Sequence, residues 1–233
     1  EAYERLKREV ERPNGMISTT GPTGSGKTTT LYGILRTLNK PGVKIITLED
    51  PVEIKMEGIN QSQVDTTRDY TFAKGLRSIL RQDPDICMVG EIRDLESAEI
   101  AIQAALTGHL MLSTIHTNGA AGAIPRFLSM GVKPFLLAPA LNAVIGQRLV
   151  RRICPKCIEE IELDAEKKER VTKILTELPP AEKQNIDLNN LHFYHGKGCR
   201  ECSGLGYKGR IGIYEIFTMS KEIEAVILSA QVS

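Results

Sequence analysis

A chain of 233 residues with 41% hydrophobic side chains can bury a full α/β core, alone or with a small satellite domain. Lys and Arg number 30 against 29 Asp and Glu, and this near-neutral balance excludes a bulk electrostatic case for a nucleic-acid or anionic-membrane partner. The longest apolar stretch, Pro134 to Val150, is interrupted by Asn142, Gln147 and Arg148 and falls short of a membrane span.

Residues 1–14 open with a charged segment, Glu1 to Arg12, that is helical in pattern and lacks the apolar run of a signal peptide. Because the chain does not begin with Met, these residues are expected to be a linker from a missing upstream domain. From Gly15 to Arg93, short apolar or β-branched runs alternate with helical stretches: Met16 to Thr20, Val43 to Leu48 and Ile86 to Val89 are predicted strands. That rhythm predicts a mainly parallel sheet. Thr28 to Leu38, Thr71 to Arg81 and Leu95 to Leu106 are predicted helices, and Leu110 to Thr114 a further buried strand. Ala120 to Met130 follows as a helix with Pro125 inside it, and a helix-rich stretch with Pro134 and Pro139 is expected to run on to Arg152.

The string Gly21, Pro22, Thr23, Gly24, Ser25, Gly26, Lys27, Thr28 fits G-x-x-x-x-G-K-[ST], follows an apolar strand and opens a helix. The glycines let successive backbone N–H groups face a β-phosphate, and the helix N-terminus adds partial positive charge. Lys27 is placed to reach the β- and γ-phosphates, the Thr28 hydroxyl to ligate Mg²⁺, and Thr29 completes the predicted nucleotide-binding set.

Acidic residues follow two of the other strands. Glu49, Asp50 and Glu53 lie just past one strand, at the edge where open α/β sheets bind ligands. Ile86 to Val89 runs into Gly90-Glu91-Ile92-Arg93-Asp94, the layout of a Walker B strand whose acid holds Mg²⁺, usually through water. His109 and His116 bracket Leu110 to Thr114, and a lone histidine is often a satisfied structural residue. Arg77 and Arg81, four apart on one helix face, could meet phosphate or a neighbouring subunit, or form surface ion pairs.

Cys154, Cys157, Cys199 and Cys202 form two C-x-x-C knuckles whose soft thiolates suit a closed, structural Zn²⁺ cage. Iron–sulfur ligation is the metal rival, and a disulfide reading needs an oxidising compartment. Gly204, Gly206 and Gly209 resemble zinc-ribbon turns, where backbone N–H groups approach sulfur. Between the knuckles, Glu159 to Gln184 is dense in Glu and Lys with a Pro179-Pro180 break, and is expected to be a solvated helical hairpin without chemistry. The fifth cysteine, Cys87, is expected to pack as a small buried hydrophobe.

The strings GPTGSGKTTT, ITLEDPVE, DPDICMVGEIRD and TGHLMLSTIHTN stand in the order and approximate spacing of the Walker A, Asp box, Walker B and His box of the secretion ATPase superfamily. Over nearly its whole length the chain resembles the type II secretion (general secretory pathway protein E-like) and type IV pilus assembly branch. The resemblance implies a RecA-like P-loop NTPase core at 15–152, a tetracysteine zinc-binding subdomain with a helical insertion at 153–210 and a C-terminal helical segment at 211–233. It implies that Glu53 polarises the attacking water, Glu91 serves magnesium and His116 senses the γ-phosphate. It also implies a homo-hexamer using ATP, Mg²⁺ and Zn²⁺, working with an inner-membrane platform protein at the cytoplasmic face of the inner membrane to assemble pili or secretion pseudopili. Family members draw arginines from an N-terminal domain across a subunit interface, so isolated activity is expected to be poor. The alternatives are a RecA-like nucleic-acid translocase or helicase, which DNA-stimulated hydrolysis would support, and a nucleotide-regulated scaffold without turnover.

Overall fold

The computed structural model describes residues 2–178, 183, 186–188 and 190–229. The strands are β1 (Gly15–Thr20), β2 (Ile45–Glu49), β3 (Asn60–Gln63), β4 (Ile86–Val89), β5 (Leu110–Ile115), β6 (Leu141–Ile153), β7 (Ile158–Ile161), β8 (Phe193–Gly196) and β9 (Tyr207–Thr218). The helices are α1 (Ala2–Val10), α2 (Lys27–Leu38), α3 (Phe72–Leu80), α4 (Leu95–Leu106), α5 (Ala123–Ser129), α6 (Pro134–Ala140), α7 (Ala165–Thr176) and α8 (Lys221–Leu228).

One sheet has the order β3-β2-β4-β5-β1-β6-β9, and its pairings from β3 through β6 are parallel. The inner strands β1, β2, β4 and β5 are wholly buried because both faces are covered, whereas the edge strands β3 and β9 are polar or exposed. Successive residues feed two separate cores. Met16, Ile46, Leu48, Cys87, Val89 and Met111 pack in the core that includes α3, α4, α5 and α6 residues such as Leu76, Ile102, Phe127 and Leu137. Ile17, Ile45, Ile86, Met88, Leu110 and Leu112 pack on the other side with Leu31 and Leu35 of α2 and Val10 of α1. Cys87 is wholly buried, and burial pushes its thiol up to about 12, which makes it an inert packing residue.

The strand order puts β5 between β4, which leads to Glu91, and β1, which leads to the phosphate loop. In register, Val89 lies opposite Ser113, so the residues following each strand emerge side by side. Asp94 is a helix cap rather than a site acid: its Oδ1 accepts from Ser97 N at 2.8 Å and starts α4. Pro125 is tolerated because it falls in the first turn of α5, where no intrahelical N–H bond is lost.

The structure departs from the sequence expectation in three places. The helix-rich stretch expected to reach Arg152 stops at Ala140; residues 141–153 are a strand, of which Leu141 to Gln147 are buried. The segment expected to be helical from 211 is strand through Thr218, and helix resumes at Lys221. The charged insertion begins as β7, in antiparallel register with β8, before α7 takes over. The Pro179-Pro180 break and Gln184 lie outside the described residues.

The chain divides into two compact units, one of Glu1–Leu149 with Gly212–Ser233 and one of Val150–Ile211. The first holds the large hydrophobic cores. Among the described residues of the second, the buried ones are Cys154, Cys202 and Gly206. No helix among the described residues is long and apolar enough to cross a membrane.

Candidate nucleotide site and candidate metal centre

The turn after β1 is shaped by residues that other side chains would break. Gly26 precedes α2 with φ of 87°, in the left-handed region, and a Cβ there would stand 2.8 Å from Gln147 Nε2. Gly21 lies so close to the Gln147 carbonyl that a Cβ would collide with it. Gln147 itself is 4% exposed, and its Oε1 accepts from Thr30 Oγ1 at 2.7 Å, so this side chain from β6 braces both the loop and α2. Within the loop the Ser25 hydroxyl is buried without a hydrogen-bond partner, and Lys27 Nζ donates to the Gly21 and Pro22 carbonyls at 2.9 and 3.1 Å. An orphaned hydroxyl and an ammonium resting on loop carbonyls suit a site built for phosphate oxygens. Burial lowers the Lys27 pKa, while the Glu91 carboxylate opposes the shift.

Glu91 and His116 meet past the ends of adjacent strands. His116 Nε2 lies 2.7 Å from Glu91 Oε1, and Arg93 Nε donates to Glu91 Oε2 at 2.5 Å. The two loops are tied at their roots: Thr114 Oγ1 donates to Gly90 O at 2.8 Å, and Ile92 N donates to Thr114 O at 3.0 Å. Thr117 joins the third loop, its N donating to Thr20 Oγ1 at 2.9 Å. Walker A, Walker B and the histidine loop therefore form one hydrogen-bonded edge. Thr28, half-buried at the start of α2, and Glu91 supply the oxygen donors that suit Mg²⁺.

The remaining expected residues fall differently. Glu53 is exposed in the loop between β2 and β3. Pro22, Thr23, Gly24 and Thr29 are also exposed. Arg77 makes a 2.5 Å ion pair with Glu96, both half exposed, which is the surface-pair alternative. Arg81 follows α3 as its exposed C-cap. His109 precedes β5, at the opposite end from His116, with Nδ1 3.2 Å from Ala104 O. Sequence reasoning missed Gln147, Thr20 and Thr117. Gln147 carried a signal, a polar residue in an apolar run; the others have partners too distant in the chain to be read locally.

In the second unit, the four cysteine sulfurs lie within 4.8 Å of one another. Three of the separations are 3.9 Å for Cys154 to Cys199, 3.8 Å for Cys157 to Cys202 and 3.8 Å for Cys199 to Cys202. Sulfurs placed tetrahedrally at about 2.3 Å from a zinc ion stand about 3.8 Å apart, so the donor set fits Zn²⁺. A disulfide does not fit, because bonded sulfurs lie at about 2.05 Å. The N–H groups of Cys199 and Gly206 each donate to Cys202 Sγ at 3.2 Å, and these bonds bring its thiol down to about 6. Gly206 thus does what a ribbon-turn glycine is expected to do.

Comparisons with known proteins bear on the family and the fold. A family model described as "Type II/IV secretion system protein" matches residues 1–233. Over 227 residues the chain is 48% identical to the "Type II secretion system ATPase E" of Vibrio cholerae, covering 97% of this chain and 43% of that protein. Over 224 residues it is 47% identical to the "Type IV pilus assembly ATPase PilB" of Myxococcus xanthus, covering 96% of this chain and 38% of that one. Among solved structures, the pilus retraction motor PilT with bound ADP matches at a TM-score of 0.66 and 28% identity, covering 98% of this chain and 52% of that one.

Proposed function

Because the chain belongs to the type II/IV secretion system protein family, we propose that it is the ATP-hydrolysing part of a motor that powers assembly of type IV pili or type II secretion pseudopili. The observation that carries this reading is the meeting of Glu91 with His116 on an edge that Thr117 ties to the strand leading into the phosphate loop. Phosphoryl transfer needs positioning and charge neutralisation more than covalent chemistry, and this edge supplies both.

In this reading the loop N–H groups, Ser25 and Lys27 hold the phosphates. Thr28 and Glu91 hold Mg²⁺, which when bound neutralises phosphate charge. His116, joined to Glu91, senses the γ-phosphate, and Glu53 accepts the proton of the attacking water from the exposed loop. Arg77 serves the α3–α4 ion pair, which leaves Arg81 as the arginine able to face phosphate or a neighbouring subunit. The four cysteines hold a structural Zn²⁺.

The whole protein works as a homo-hexamer at the cytoplasmic face of the inner membrane, reached through a platform protein rather than by insertion. Its named relatives are secretion and pilus ATPases, which supports this placement over a nucleic-acid motor. The test is steady-state ATP hydrolysis by the full-length protein and by Lys27→Ala, with and without DNA. Lys27-dependent turnover indifferent to DNA supports the reading, and strong DNA stimulation overturns the choice of partner.

A further inference from the structure

Glu49, the last residue of β2, carries a carboxyl group that is 2% exposed. Its Oε1 accepts from Thr47 Oγ1 at 2.5 Å and from Gln61 Nε2 at 3.1 Å, and its Oε2 accepts from the Tyr32 hydroxyl. A carboxyl group shut away from water and surrounded by three donors cannot take a proton from an incoming water. It is well placed to organise what surrounds it.

What surrounds it is the loop that carries Glu53. Gln61 Nε2 also donates to Ile54 O at 3.0 Å, and Gln61 Oε1 accepts from Met56 N at 2.7 Å. Gln63 Oε1 accepts from Val52 N at 3.4 Å. The loop is therefore held on both sides of Glu53 by side chains of β3, one of which is locked to Glu49. The other end of the network lies on the phosphate-binding helix: Tyr32 is 4% exposed on α2, the helix that opens with Lys27 and Thr28.

We propose that Tyr32, Glu49 and Gln61 are positioning residues that hold Glu53 in register with the phosphate-binding helix. The proposal rests on the reading of Glu53 as the group that polarises the attacking water. It sorts the acids past β2 into a buried anchor, Glu49, and an exposed reactive group, Glu53.

A double-mutant cycle in the full-length protein tests it. Tyr32→Phe removes one hydroxyl and keeps the ring. It is expected to lower kcat about tenfold while KM and the Kd of a fluorescent ADP analogue stay within about twofold. Gln61→Met, close in volume, is expected to behave alike and reports independently should Tyr32→Phe fold poorly. In a Glu53→Gln background, where residual turnover is followed by single-turnover hydrolysis, either change is expected to cost less than about twofold. The same tenfold loss in both backgrounds, or a Kd that weakens as much as kcat falls, overturns the positioning role and leaves the Glu53 reading intact. A Glu53→Gln protein that turns over like its parent sinks the Glu53 reading, and the positioning role falls with it.

Discussion

Removing the proposed Zn²⁺ should unfold one unit and spare the other. Among the described residues of Val150–Ile211, the buried ones are Cys154 and Cys202, two of the four clustered cysteines, and the glycine Gly206; no aliphatic or aromatic side chain there is buried. Ordering a backbone costs about 1–2 kcal/mol per residue, and a unit whose apolar side chains are at most partly buried has only a small hydrophobic term to offset it. Structural zinc sites in small domains contribute roughly 10–16 kcal/mol of apparent binding free energy at neutral pH, enough to decide whether such a unit folds. The first unit has its own extensive cores and no ligand among the four cysteines. The assay is elemental analysis of the full-length protein, followed by chelation and limited proteolysis with the cleavage sites mapped. About one zinc per chain is expected, and chelation should open cuts within 150–211 while 15–149 stays resistant and still binds nucleotide. Cys202→Ser should mimic chelation. Metal-free protein as purified, or unchanged resistance after chelation, would refute the reasoning.

Other consequences can be checked with simpler variants. Burial, then the Glu49 hydrogen bond, raises the Tyr32 pKa from 10.0 to about 12. A group whose pKa is raised on folding adds stability below its unfolded value that is lost as pH rises through the folded one. Denaturation midpoints should therefore fall between about pH 10 and 12, and fall less in Tyr32→Phe; identical profiles would contradict the burial. Gln147→Ala leaves Thr30 and the loop unbraced, and a lost buried hydrogen bond of about 1–3 kcal/mol should weaken nucleotide binding by fivefold or more in a fluorescence titration. Gly26→Ala, at φ 87° and 2.8 Å from Gln147 Nε2, should abolish binding in the same titration. Arg77→Ala breaks a half-exposed ion pair and should cost less than about 1 kcal/mol of stability with turnover unchanged; a large loss of turnover would return Arg77 to the site.

The phosphate loop and the strands around it were legible because each carries a local signature. Gly21, Gly24 and Gly26 punctuate a short turn, and Ile86 to Val89 is an apolar run of strand length bounded by polar residues. The strand at 141–153 was not legible. Its first half is buried on both faces, so it lacks alternation, and it follows the helix α6 without a turn residue. Ile211 to Thr218 is rich in β-branched and aromatic residues, a strand signal outweighed by the helical pattern that follows. At the site, Glu91 and His116 could be named from their boxes, but their 2.7 Å contact follows from the β4–β5 register. Glu49 and Tyr32 lie 17 positions apart on different elements, and no periodicity marks one as the partner of the other.

In the proposed function, this edge of the sheet hydrolyses ATP with Glu53 as the base. The most direct test is ATP turnover by full-length Glu53→Gln beside its parent, with ATP affinity measured on the same samples. A turnover loss of about a hundredfold or more with affinity kept within about threefold is the expected result. Turnover equal to the parent, or affinity lost in step with turnover, would contradict it.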